Sequence, residues 1–224
     1  MILAVNSSTK QYSIALMSDA GILIAEFLLL PAGSSFTGFM PAMDSLFESS
    51  GTTPNDIRCI TVATGPGSFT GLRVGLSAAK GMAYSLNIPV IGISGTEALA
   101  AGISQTELDI CSMVTSRRDE VFLALFKQDN GALVRKSEDK SIKLKEIGTV
   151  IKEPAIVIGN DYMKQKSIID ESGSHNINYA PKEQWVLRAS SVGALGLKRF
   201  HGGDFDDIRD MVPRYLRPPD IRKN

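Results

Sequence analysis

A glycine-rich turn between an apolar run and a long helical pattern constrains the fold of this chain more than any other feature. The turn and the residues after it read Gly65-Pro-Gly-Ser-Phe-Thr-Gly-Leu-Arg-Val-Gly75. They follow the apolar, partly β-branched segment 57–64, and the helical pattern continues to Leu86. The stretch therefore predicts a strand that turns directly into a helix, as in an α/β fold.

A strand-to-helix turn of this kind leaves backbone N–H groups free at the start of the helix, where they can hold an anion. The spacing matches neither common nucleotide motif, because no Lys follows the second glycine and Thr70 stands where a dinucleotide-binding fingerprint has Gly. The candidate anion- or nucleotide-binding residues are Gly65, Gly67, Ser68, Thr70, Gly71 and Arg73.

The helix after the turn carries small residues at every fourth position, which form one stripe. Small residues let another backbone approach closely, and the helix is apolar on nearly all sides, so it must be buried on more than one side. Two interpretations stay open: a buried core helix, or a helix that also forms a partner interface. With the preceding helical pattern, predicted to begin near residues 37–40, the candidate interface residues are Phe39, Met40, Met43, Phe47, Gly71, Leu72, Gly75, Ala79, Met82 and Ala83.

The charge balance and the cysteines exclude several classes of protein. Lys plus Arg and Asp plus Glu each total 24, and this argues against a stand-alone nucleic-acid-binding protein. The two cysteines lie in apolar, strand-like runs, where buried reduced thiols of a cytoplasmic protein are expected. We expect no secretory signal, since the chain opens on a strand, and no apolar run approaches the roughly 18 residues of a membrane span.

The order of predicted elements repeats along the chain. Residues 1–102 predict β-β-β-α-β-α-β-α, and residues 103–224 predict a similar order in a weaker form, with strands near 109–116, 120–126, 133–137 and 155–158 and helices near 143–150, 161–169 and 186–200. The chain thus predicts two related halves of the β-β-β-α-β-α type, the second degenerate, followed by a basic tail that frays from Arg209 onward.

Five motifs, in order along nearly the whole chain, resemble the TsaB (YeaZ) family. They are Ile2-Leu-Ala-Val-Asn-Ser-Ser-Thr9, Gly65-Pro-Gly-Ser-Phe-Thr-Gly-Leu-Arg73, Ala79-Lys80-Gly81, Arg117-Arg-Asp-Glu-Val121 and Pro213-Arg-Tyr-Leu-Arg217, of which the second is the most specific. The resemblance implies a duplicated actin/hexokinase/Hsp70-like (ribonuclease H-like) fold, in agreement with the repeated order of elements.

The resemblance also implies a function. Members are cytoplasmic, non-catalytic scaffold subunits that bind the paralogue TsaD and, with it, the ATPase TsaE. Together these proteins carry out N6-threonylcarbamoylation of adenosine 37 in tRNAs that read codons starting with A. Members also form homodimers through much the same surface. No cofactor of the chain's own is implied.

Three positions depart from the family pattern, and each departure removes an ionisable side chain. Asn6 and Thr115 stand where members usually carry Asp at the ends of strands, and Ser35-Phe36-Thr37 replaces a usual His-Ser-Glu. An amide at position 6 lacks the charge that favours a divalent cation, which counts against ATP hydrolysis.

The residues alone leave two classes of function open. The favoured class is a non-catalytic complex subunit, and the alternative is a small-molecule phosphotransferase or ATPase of the same fold. No serine nucleophile motif is present, and His175 and His201 lie too far apart for a paired metal site, so no catalytic or metal residue is predicted. Candidate contacts to tRNA phosphates are Arg117, Arg118, Arg214 and Arg217, although a solvated hairpin tip also explains the first two.

Overall fold

The computed structural model describes residues 1–30 and 36–217. Its first half contains β1 (Ile2–Asn6), β2 (Tyr12–Met17), β3 (Leu23–Leu29), α1 (Phe39–Ser50), β4 (Cys59–Gly65), α2 (Phe69–Leu86), β5 (Val90–Ser94) and α3 (Gly95–Ala100). Its second half contains β6 (Asp109–Thr115), β7 (Glu120–Asp129), β8 (Ala132–Arg135), β9 (Lys140–Lys143), β10 (Ala155–Ile158), α4 (Tyr162–Glu171), β11 (Ile177–Tyr179) and α5 (Ala189–His201).

Each half builds one mixed sheet, and the two sheets have the same topology. The first has the order β3-β2-β1-β4-β5 and the second the order β8-β7-β6-β10-β11, with β9 also paired to β7. In both, the first two strands are antiparallel, and the strands on the other side of the first strand run parallel to it. This repetition confirms the duplicated α/β architecture that the sequence predicted.

The second half departs from the first where its sequence pattern is weaker. The predicted helix at 143–150 is instead the end of β9 followed by a 3-10 helix, Leu144–Thr149, and the short strands β9 and β11 had no prediction. β9 and β11 are too short to show the alternation of apolar and polar residues that indicates a strand. Pairing of β9 with β7 and of β11 with β10 holds them in place. Ser94 precedes α3 without capping it through its side chain, and its hydroxyl pairs with that of Thr96 at 2.9 Å.

The last helix of each half packs on the sheet of the other half. α3 contacts β6 and β7 of the second sheet, whereas α5 contacts β1, β2, β4 and β5 of the first. The two helices also contact each other. The halves are therefore joined through a shared apolar core, which includes Ile2, Leu99, Met113 and Val192.

Alternation along β1 divides the core into two layers, as a period-two strand requires. Ile2 faces the shared core with α3 and α5, while Leu3 and Val5 face a second cluster that contains α1 and α2. Both β1 and β2 are buried along their full length, so the first sheet is covered on both faces at its centre.

The small-residue stripe of α2 packs against the chain's own β1 end. A Cβ built at Gly71 would lie 1.9 Å from the Ser7 carbonyl oxygen, and one built at Gly75 would lie 2.1 Å from Ser7 Oγ. Ala79 and Ala83 continue the same buried stripe over the sheet. The buried-core interpretation of this stripe is therefore the one that the structure supports.

The two cysteines lie where the sequence predicted. Cys59 and Cys111 are buried free thiols, and burial raises the pKa of each to about 12. His175 and His201 are exposed. Across the described ranges, no helix combines the length and the apolar character needed to cross a membrane.

Two glycines of α2 offer a matched test of this packing. Gly75→Ala places a methyl group against Ser7, so we expect a loss of about 1–3 kcal/mol in the free energy of unfolding. Gly81 is exposed and a Cβ there meets nothing within 4 Å, so Gly81→Ala is expected to add about 0.5–1 kcal/mol through helix propensity alone. Urea denaturation of both variants measures the difference, and equal stabilities would contradict the assigned contact.

Candidate functional site

A cleft of about 820 Å³ lies between the two halves. Corresponding positions of the two sheets line it: Ser8 and Ser68 follow β1 and β4, while Thr115 and Asn160 end or follow β6 and β10. Ligands of open α/β sheets bind at such carboxyl ends of strands. The cleft is therefore the candidate ligand site of this fold.

The glycine-rich turn forms one wall of the cleft, and its glycines serve close packing. A Cβ built at Gly67 would lie 2.1 Å from the Ser8 carbonyl oxygen, and Ser68 N donates to that oxygen at 2.7 Å. Gly65 has φ +111°, a conformation that favours glycine. The Ser68 hydroxyl caps α2 by accepting from Gly71 N at 3.2 Å.

The remaining candidates of the turn divide between the cleft and the outer surface. Gly67, Ser68 and Thr70 line the cleft together with Phe69. Arg73 is exposed and is not among the cleft-lining residues, and its guanidinium lies 3.8 Å from the Phe69 ring centroid. Anion or nucleotide binding by the turn stays a prediction.

Asn6 occupies the end of β1 and is fully buried. Its Nδ2 donates to the Leu187 carbonyl oxygen at 2.8 Å, and its Oδ1 accepts from Ser8 N at 3.0 Å and from Ser8 Oγ at 2.7 Å. The side chain thus needs both a donor and an acceptor, which an amide supplies and a carboxylate does not. The departure from the family pattern at this position has a structural cause.

Thr115 takes the equivalent position in the second half, at the end of β6. Its backbone N and its hydroxyl donate to Asn160 Oδ1 at 2.8 and 3.0 Å, and Gln165 Nε2 donates to the same hydroxyl at 3.2 Å. Both positions that usually carry carboxylates therefore hold neutral side chains that bind neighbouring segments. The departure at 35–37 lies partly outside the described residues, since Ser35 is not described.

The cleft has a positive lining. Its charged side chains are those of Lys10, Arg117, Asp161, Lys182, Arg214 and Arg217, so five of the six are basic. The one acid, Asp161, caps α4 by accepting from Lys164 N at 3.3 Å. The sequence had singled out three of these arginines but not Lys10, Asn160 or Lys182, because these three belong to no recognisable motif.

Three of the four arginines predicted to contact phosphate have carboxylate partners within the chain. Arg117 Nε lies 3.9 Å from Glu120, Arg217 pairs with the same carboxylate, and Arg214 pairs with Glu138 at 2.9 Å. Arg118 has φ +45° in the hairpin between β6 and β7. Contact of these residues with tRNA stays a prediction.

The predicted fraying of the tail is wrong for Arg209–Arg217. Met211 is buried and its carbonyl oxygen accepts from Lys80 Nζ at 3.0 Å, while Arg214 N donates to the Thr64 carbonyl oxygen at 2.8 Å. The Tyr215 ring stacks on Phe69 with centroids 4.8 Å apart. These contacts hold the segment against the first half.

Eight of the ten candidate interface residues are buried within the chain itself, so they offer little accessible surface to a partner. The buried residues are Phe39, Met43, Phe47, Gly71, Leu72, Gly75, Ala79 and Ala83. Their apolar character is satisfied by the first sheet, because α1 and α2 lie over the same face of it. Met40 is 49% exposed and Met82 is half-buried, so these two stay accessible.

The accessible surface of the two helices is amphipathic. Half-buried Val74, Ala78 and Met82 form a stripe beside the buried one on α2, and exposed Met40 adds apolar surface on α1. The exposed charges differ between the helices: α1 carries Asp44 and Glu48, and α2 carries Arg73. We call this surface the outer helix face.

No metal centre is built by the described residues. Among them, no group of three or more His, Cys, Asp or Glu side chains comes close enough to hold an ion. The cleft lining offers hydroxyls, amides and cations to a ligand.

Comparison with known proteins gives consistent results along nearly the whole chain. Residues 37–198 match the family model described as TsaD, tRNA N6-adenosine threonylcarbamoyltransferase. The tRNA threonylcarbamoyladenosine biosynthesis protein TsaB of Bacillus subtilis strain 168 is 31% identical over 96% of this chain and 93% of its own. The protein of the same name from Escherichia coli K12 is 30% identical over 96% of this chain and 94% of its own.

A solved structure shares the fold. YeaZ from Pseudomonas aeruginosa superposes with a TM-score of 0.76 at 18% identity, covering 96% of this chain and 99% of that one. The likeness extends over both halves of the fold.

The amide of Asn6 can be tested by Asn6→Asp. This change removes the donor to Leu187 and places a carboxylate against a carbonyl oxygen, so we expect a loss of about 3 kcal/mol in the free energy of unfolding at neutral pH. Asn55→Asp makes the same chemical change at an exposed position and should have little effect.

The pH dependence of Asn6→Asp gives a second readout. Burial would raise the pKa of the introduced carboxyl above its unfolded value of about 3.9. The folded state of the variant then binds more protons than its unfolded state. Its loss in the free energy of unfolding, relative to the parent chain, should therefore be smaller near pH ~4 than near pH ~7. A loss of stability that does not change with pH would contradict the assigned contact.

Proposed function

We propose a function from the premise that this chain belongs to the TsaB (YeaZ) family. The chain acts in the biosynthesis of threonylcarbamoyladenosine in tRNA, as the non-catalytic subunit that binds and activates a TsaD-like paralogue in the cytoplasm. The observation that carries this proposal is the identity to two TsaB proteins over almost the full length of each chain.

The two strand ends of the cleft support a non-catalytic role. In a phosphotransferase of this fold, carboxylates at such positions would hold the metal that accompanies ATP. Asn6 and Thr115 are neutral here, and both are committed to hydrogen bonds within the chain. A phosphotransferase or ATPase is the second candidate function, and the cleft with its basic lining is the observation that favours it.

The outer helix face is the proposed surface for the TsaD-like paralogue. It joins an apolar stripe on α2 to exposed Met40 on α1, and the acidic residues of α1 and Arg73 of α2 offer charges of both signs to a partner. A second copy of the chain would use much of the same surface when the paralogue is absent. The buried small-residue stripe contributes indirectly, because it sets how closely α2 approaches β1.

The remaining partners follow from the same assembly. A TsaE-like ATPase joins through the paralogue, and tRNA is held mainly by the complex, since this chain has no net charge to attract a polyanion. Phosphate contacts would come from Arg117, Arg118, Arg214 and Arg217. Those that pair with a carboxylate of the chain would first have to exchange that partner for the phosphate.

The function is tested by reconstitution. Purified chain, its TsaD-like and TsaE-like partners and unmodified tRNA should together form threonylcarbamoyladenosine, detected by mass spectrometry of digested nucleosides. Omission of this chain should abolish product, and the chain alone should hydrolyse no more ATP than a mock preparation. ATP turnover by the chain alone that is lost on changing Ser68 would favour the phosphotransferase instead.

Substitution of two methionines that are both exposed on helices tests the interface. Met40→Glu places a charge on the outer helix face and should weaken binding to the TsaD-like paralogue about tenfold or more, measured by calorimetry. Met163→Glu, on α4 of the second half, is the matched control and should bind normally. Equal loss in both variants, or loss in neither, would place the interface elsewhere.

A further inference from the structure

The C-terminal segment 206–217, here called the strap, runs along the edge of the first half and ends across the cleft. It begins where Asp206 bridges to Val90 and its carboxylate accepts from Gly92 N at 2.7 Å. It continues past buried Met211 to Arg214, whose backbone N bonds to Thr64. The strap is thus fixed to the first half along most of its length.

The end of the strap reaches the second half through two arginines. Arg214 Nη1 lies 3.2 Å from Oδ2 of Asp139, whose side chain is fully buried and also accepts from Thr96 Oγ1 at 2.5 Å and from Arg135 at 3.3 Å. Arg217 pairs with Glu120 at the start of β7. Between these two anchors, Tyr215 stays on the first half, where its hydroxyl accepts from Arg73 Nε at 3.1 Å.

The two anchors differ in how readily they can be released. Asp139 has three partners and no exposed side-chain surface, so separating Arg214 from it leaves a buried carboxylate with less compensation. The Glu120 and Arg217 side chains are 27% and 30% exposed, so water can replace either partner at small cost. The contact at the very end of the strap is therefore the weaker one.

The cleft that the strap crosses is lined by more cations than anions. Arg214, Tyr215, Leu216 and Arg217 form part of its wall, together with Arg117 and Lys182. Arg117 and Arg217 both lie against the Glu120 carboxylate, which stands at the edge of this basic lining. An anion in the cleft would compete with Glu120 for the same two guanidinium groups.

We propose that the end of the strap, residues 215–217, is a releasable latch at the cleft, with Glu120 as the internal counter-anion that an anionic ligand displaces, while Arg214 stays anchored on Asp139. The latch holds the two halves together while the cleft is empty. A ligand that carries a phosphate-like group takes over Arg117 and Arg217 and frees the end of the strap. This device depends on contacts within one chain and does not require the proposed partner.

Trypsin reports the state of the latch, because cleavage after Arg214 requires residues 215–217 to leave the first half, whereas Arg217 precedes Pro218. Arg217→Gln should speed cleavage after Arg214 about fivefold under conditions where the fold is intact. Arg209→Gln is the matched control, since Arg209 lies in the same strap but pairs with Asp207 beside it. Equal cleavage rates in both variants would overturn the latch.

Pyrophosphate tests the counter-anion. It should speed cleavage of the parent chain relative to sodium chloride of equal ionic strength, and it should add little to Glu120→Gln, in which the strap end is already released. An equal response to both salts, or an equal response of Glu120→Gln and the parent, would overturn the role of Glu120. Hydrogen exchange of residues 215–217 provides a second measurement that does not depend on the protease.

The outcome is separate from that of the proposed function. Binding to a TsaD-like paralogue through the outer helix face can succeed while the latch fails, and the reverse also holds. Far-ultraviolet circular dichroism and the thermal midpoint of each variant establish that altered cleavage does not arise from global unfolding.

Discussion

The close contact between α2 and the end of β1 is the constraint on which the rest of the structure depends. The backbone of α2 approaches Ser7 so closely that a Cβ at Gly71 or Gly75 would clash with it. The Ser7 hydroxyl donates to the Gly71 carbonyl oxygen at 2.8 Å. The next residue, Ser8, fixes the glycine-rich turn through Ser68. The preceding residue, Asn6, fixes the segment that leads into α5 through Leu187. Three consecutive residues thus set the positions of the cleft wall, the outer helix face and the helix that joins the halves.

The sequence predicted much of this arrangement but not the neighbour of α2. Its apolar surface and its small residues at every fourth position correctly indicated burial on more than one side. The same pattern arises whether the close neighbour is another subunit or the chain's own strand, because both require a short distance between backbones. The burial of Gly75 against Ser7 distinguishes the two, and this contact joins residues about 70 positions apart. The second half was predicted less well because β9 and β11 are too short to show a period.

At the cleft, the residues near a motif were predictable and those far from any motif were not. The turn from Gly65 to Gly71 and three of the lining arginines were recognised from their local sequence. The donor role of Asn6 could not be recognised in this way. Its acceptor is the backbone carbonyl oxygen of Leu187, 181 residues away, and a backbone atom carries no sequence signal. The tail was expected to fray because it is basic and rich in proline. Its order comes from partners such as Lys80 and Phe69, which belong to a different half.

The exchange of α3 and α5 between the halves has a consequence for how the chain is made. A ribosome releases the first sheet early, yet the helix that covers one face of it, Ala189–His201, emerges only after the strands of the second sheet. Until then Ile2 and Met17 lack part of their apolar cover, although α1 and α2 already protect the opposite face. Nascent chains that stop before residue 189 therefore leave apolar surface of the first sheet without its α5 cover. The arrival of α5, rather than completion of the first sheet, is the event that closes the core.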